Sequence, residues 1–151
     1  MDVSIRKNLL DIKLQADKSV KMADIPFDSP TLETIVSHFV NLVSDYAEQR
    51  GVHYDEHQIS AFGMHLKEGL YDKIKNTPAE HFADKGIIFD AWGVNPDRSW
   101  TAALKAANLY GKVIPYRVKV QMWKDRIQVK TGKSPDWKPL YGNFPKLDPK
   151  R

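Results

Sequence analysis

Along most of the chain, apolar residues recur at spacings of three and four, the period of a helix with one buried face. Ile5, Leu9, Ile12, Ala16 and Val20 mark such a face over 3–21, with Arg6, Lys7, Lys13 and Asp17 elsewhere. This segment lacks strong caps, so it depends on a partner or on the body of the domain. Ala23 to Ser29 reads as a linker, with Pro26 breaking any helix. Ser29 is then a natural N-cap and Pro30 fits the first helical position, where its missing N–H costs nothing. Leu32, Ile35, Val36, Phe39, Leu42, Val43 and Tyr46 form a wide apolar stripe, ended by Gly51. Asp55 caps a second long helix with Gln58 as its capping-box partner, and Ile59, Phe62, Leu66, Leu70 and Ile74 line its face. The link between the two is short, so an antiparallel helix hairpin is expected. Gly63 beside the second stripe points to a close helix–helix approach.

Thr77-Pro78-Ala79-Glu80 reads as another capping box, opening a short helix that runs to about Ala83. Ile87-Ile88-Phe89 fits a strand or a buried loop. A small, Ala-rich helix follows over roughly 97–110, burying Trp100, Ala103, Leu104 and Ala107, with Gly111 as its stop.

Two periods compete over 113–131. As a helix, Pro115 and Gly132 cap the segment, and Val113, Tyr116, Val120, Trp123 and Ile127 make one stripe. As a β-hairpin, Arg117–Met122 and Arg126–Thr131 each alternate polar and apolar without error, with Trp123-Lys124-Asp125 as the loop. β-branching favours the hairpin, while a loop without Gly or Asn opposes it. The caps tip the balance to the helix. The helix reading also gives the outline of a helix-turn-helix, with Ala107 and Gly111 in place but Lys112 and Val118 out of pattern. Beyond Gly132, four prolines and a glycine exclude regular structure, yet Trp137, Leu140, Tyr141 and Phe144 suit an arm that docks.

The fold expected from these patterns is mainly α. It is a small helical domain built on the hairpin of helices 30–50 and 55–75, with 113–131 as helix or β-hairpin and an extended C-terminal arm. One globular unit spans 1–132, in which 1–22 can serve as a separate docking helix. The arm spans 133–151 and is basic and rich in proline and aromatic residues.

Composition narrows the chemistry. Apolar residues are 42% and charged residues 28% of the 151, which fits a globular chain. No apolar run approaches the roughly 20 residues of a membrane span. The charged N-terminus does not resemble a secretory signal. A cytoplasmic setting without membrane association is expected. The chain has no cysteine, which removes disulfides and thiolate chemistry. No GxSxG elbow or glycine-rich phosphate loop occurs. His53, His57 and His65 lie near Asp55, Glu56 and Glu68, but their spacing does not place three ligands around one ion. No catalytic, cofactor-binding or metal-binding residue is therefore assigned.

Charge is unevenly distributed. Residues 1–111 hold 12 Lys/Arg against 16 Asp/Glu, a balance of −4, whereas 112–151 hold 11 against 3, a balance of +8. A basic end on an acidic body points to an anionic partner, with a merely solvated face as the plainer alternative. In either folding of 113–131 the same residues make a cationic surface. Arg117, Lys119, Gln121, Lys124, Arg126, Gln128, Lys130 and Lys133 are accordingly the candidate nucleic-acid contacts, Arg and Gln for base edges and Lys for phosphate. A protein partner engaged by the N-terminal helix and the C-terminal arm is the alternative.

Overall fold

A computed structural model of the protein describes residues 20–92, 96–113, 117–132 and 134–144. The described residues form four helices and a four-stranded antiparallel sheet, so the fold is α+β and the mainly helical expectation is corrected. The elements are α1 (Pro30–Gln49), α2 (Glu56–Lys75), α3 (Ala79–Asp84), β1 (Ile87–Trp92), α4 (Arg98–Ala106), β2 (Val118–Met122), β3 (Ile127–Thr131) and β4 (Lys138–Tyr141). The N-terminal helix expected over 3–21 falls outside the described residues, except that Val20 and Lys21 are described and not helical.

The two long helices form where their local signals put them. The Ser29 side chain accepts from the Leu32 N–H at 3.3 Å. At α2, Asp55 Oδ1 accepts from the Gln58 N–H at 2.8 Å, and Gln58 Oε1 accepts from the Asp55 N–H at 3.0 Å. The same Gln58 donates through Nε2 to the Ala107 carbonyl at 3.1 Å, tying the start of α2 to the end of α4. Glu33 pairs with Lys67 early and late along the two helices, and Tyr54 bridges Ser44 and Glu48 at their turn, so they run antiparallel. A Cβ on Gly63 would lie 3.1 Å from Val40 Cγ2, and one on Gly69 would lie 2.9 Å from Ser99 Oγ. These two positions let α1 and α4 approach α2 closely.

Thr77 does not cap α3. Its hydroxyl donates to the Lys73 carbonyl at 2.9 Å, and no side chain caps the helix. The backbone around it is held by the chain before α1: Ala23 N donates to Thr77 O at 2.8 Å and Ala79 N to Lys21 O at 2.7 Å. Ala23 and Ile25 are buried by this pairing.

Residues 118–131 are a hairpin, which overturns the helix favoured by the caps and with it the second helix of a helix-turn-helix. The strict alternation wins because it buries Val118, Val120 and Met122 on β2 and Ile127 and Val129 on β3 in one core. A helix would have left several of these off its stripe. Lys124 and Asp125, in the loop, are not among the described residues with positive φ, so the loop is not the usual primed turn. Tertiary contacts hold it instead. Thr31 Oγ1 donates to the Lys124 carbonyl at 2.8 Å, and Trp123 Nε1 to the Asp84 carbonyl at 3.1 Å. Gly86 makes the approach possible, since a Cβ there would lie 2.8 Å from the Met122 carbonyl oxygen.

The strands pair in the order β1-β2-β3-β4, with a register irregularity between Asp90 and Trp92. β4 corrects the expectation that the segment beyond Gly132 has no regular structure. Pro139 is tolerated because β4 is an edge strand, where a missing N–H need not interrupt a ladder. The helices cover one sheet face, and Phe39 sits in the seam with ring centroids 5.2 Å from Trp92 and 5.1 Å from Trp100. Trp100 also meets Phe89 of β1 at 5.3 Å. No helix among the described residues is long and apolar enough to cross a membrane.

Candidate nucleic-acid interface

Alternation on a sheet sends neighbouring side chains to opposite faces. On β2 and β3 the residues between the buried ones are Lys119, Gln121, Gln128 and Lys130, all on the face turned away from the helices and all half-buried. The register sets Lys119 opposite Lys130 and Gln121 opposite Gln128. Ile88 of β1 stands opposite Gln121 on this face and is 59% exposed. Asp90 stands opposite Lys119, and its Oδ1 lies 3.9 Å from Lys119 Nζ. The face is thus mixed but carries more positive than negative charge.

The seven described candidates divide into three groups. Arg117, Lys119 and Lys130 gather at one end of the hairpin, around a pocket of about 230 Å³ completed by Gly132, Ser134 and Pro135. The Gly132 N–H donates to the Arg117 carbonyl at 2.7 Å, which closes that end. Gln121 and Gln128 occupy the middle and are spent on each other. Gln128 Nε2 donates to Gln121 Oε1 at 2.7 Å, and Gln121 Nε2 donates to the Lys85 carbonyl at 2.9 Å. Base-edge reading by this pair would first require breaking those bonds.

Lys124 and Arg126 lie at the opposite, loop end, roughly 15 Å away at about 3.3 Å per residue. Lys124 is exposed. Arg126 is held internally, its guanidinium carbon 4.2 Å from the Trp123 ring and 5.6 Å from the Phe144 ring, with Asp125 at 3.6 Å. It fastens the C-terminal segment to the hairpin, a packing role for a long cationic side chain. Lys133 lies outside the described residues.

Two neighbours of the cationic cluster escaped the sequence reading. Asp90 reaches it only through β1–β2 pairing, which a single sequence does not reveal. Trp137 was legible as an apolar residue in a polar arm, but not as a neighbour of Lys130, whose Nζ lies 5.9 Å from its ring centroid.

Elsewhere, His53 lines an open cleft of about 900 Å³ at the α1–α2 turn, together with Ser44, Glu48 and Tyr54. Among the described residues no three side chains of metal-ligating type come together. His38 sits against Phe39 and beside Leu140 of β4, and burial lowers its pKa below the usual 6.5. The sequence matches no protein-family model and no curated protein.

Proposed function

We propose that the protein is a nucleic-acid-associated accessory or regulatory factor, acting by binding rather than catalysis, that grips the phosphate backbone with the open face of its sheet. The observation that carries this reading is the convergence of Arg117, Lys119 and Lys130 on one solvent-facing patch around a pocket. Arg and Lys lining one pocket suit phosphate oxygens, and neither phosphate binding nor the resulting counterion release depends on base sequence. The balance of +8 over 112–151 supplies a long-range field of the same sign. A cytoplasmic setting fits this role. The alternative of a protein-docking arm is weakened because Lys138–Tyr141 already pairs within the protein's own sheet. Fluorescence anisotropy with labelled single-stranded and duplex oligonucleotides tests the proposal. Binding at low salt that fades steeply as salt rises is expected, and absence of binding to DNA and RNA at low salt would overturn it.

A further inference from the structure

Within that reading, and resting on it, we infer that the pocket between Arg117, Lys119 and Lys130 seats one backbone phosphate of a single strand, with Trp137 stacking the adjoining base. Lys119 and Lys130 face each other directly across the β2–β3 pair. Like charges in that position repel. Lys119 has one distant carboxylate, Asp90 at 3.9 Å, and neither Lys130 nor Arg117 has an ion-pair partner among the described residues. The three side chains line one pocket, and an anion in it offsets their like charge. The pocket's volume of about 230 Å³ admits a phosphate group with its ester oxygens. Exposed Gly132 and half-buried Ser134 border the same space, so their amides report on its occupancy.

Duplex fits this face poorly. A free two-stranded ribbon can enter a major groove about 12 Å wide. Here β2 and β3 are flanked by β1 and β4, and four strands spaced about 4.8 Å apart span roughly 14 Å between their outer axes. The sheet is too wide to insert. A single strand can lie across it, with its phosphate in the pocket. Trp137 is half-buried and close to Lys130, so a ring stands next to the charge that would fix the phosphate.

The test combines amide NMR with anisotropy on the full chain. Titration with inorganic phosphate, and with a short oligothymidylate, should shift the Gly132 and Ser134 amide signals. Trp137→Ala should weaken oligothymidylate binding about tenfold, as expected for one stacked base, and leave the phosphate titration unchanged. Lys119→Gln with Lys130→Gln should abolish the phosphate response. Lys130→Glu should abolish it too, while the thermal melt stays intact or rises, which separates loss of the seat from loss of fold. Unshifted amides in phosphate, with oligonucleotide binding that survives the double substitution, would overturn the seat and leave the nucleic-acid reading standing. Duplex bound as tightly as single strand would overturn the single-strand inference. Shifted amides without any nucleic-acid binding would overturn both the nucleic-acid reading and the inference built on it.

Discussion

The two faces of the β2–β3 hairpin share one backbone but follow opposite rules. Facing the helices, Val118, Val120, Met122, Ile127 and Val129 are buried, and each contributes through shape and apolar area. Facing away, Lys119, Gln121, Gln128 and Lys130 keep partial contact with solvent and are arranged by charge and hydrogen bonding. The inner face is satisfied and tightly constrained. The outer face includes an unfavourable pair, Lys119 against Lys130, that stability alone would not select. The lesson is that fold and proposed binding are written on alternate residues of the same two strands, so they can be separated by mutation.

The largest expected effect breaks the inner face. Val120→Asp puts an unpaired carboxylate at a position with no solvent exposure, paired with Val129 in the middle of the sheet. The cost should exceed about 4 kcal/mol, much of a small domain's stability, and circular dichroism should show loss of the cooperative melt. Gly86→Ala is expected to be intermediate. The residue has φ +73° and no room for a Cβ against Met122 and Trp123, so about 1–3 kcal/mol should be lost in a denaturant titration. Such a change loosens the seating of the hairpin without touching a cation.

Lys130→Glu sharpens the contrast because its sign is reversed. Placing an acid opposite Lys119 should raise stability by about 0.2–1 kcal/mol, measured as a higher midpoint in urea, while lowering affinity for an anion.

The smallest effect belongs to the helical layer. His38 is neutral in the folded chain over a pH range in which the unfolded chain takes up a proton, because burial lowers its pKa. Stability is therefore fully present above pH 6.5 and declines as pH falls below that value and through the folded pKa. His38→Gln should flatten this part of the pH–stability curve.

Legibility in the sequence followed the range of the interactions. α1 and α2 were readable because Ser29, Pro30, Asp55 and Gln58 act within three residues of the helix they start. The hairpin was readable as a pattern but not decidable, because its loop is held by Thr31 and Asp84, far away in sequence, rather than by turn residues of its own. Thr77 shows the reverse failure. A complete local motif was overridden when its hydroxyl turned back to Lys73 and its carbonyl paired with Ala23. β4 was missed because Pro139 and its neighbours argue against a strand unless that strand is at an edge.

The same logic applies to the interface. The cations were legible because period two fixes their face once the segment is a hairpin. The locking of Gln121 to Lys85 and of Arg126 to Trp123 and Phe144 was not, since those partners come from elsewhere in the chain. Of the seven described candidates, Gln121, Gln128 and Arg126 are held by other residues, and Arg117, Lys119 and Lys130 are the ones that line a shaped space together.

The most direct measurement is the salt dependence of single-strand affinity in the parent protein and in Lys119→Gln with Lys130→Gln. Each phosphate contact released should lower the slope of log K against log salt by about 0.7. If the outer face of the hairpin is the binding surface, the double substitution reduces both affinity and slope, the slope by about one such increment for the one seated phosphate, with the melt preserved. An unchanged slope with full affinity would place the contacts elsewhere and contradict the account.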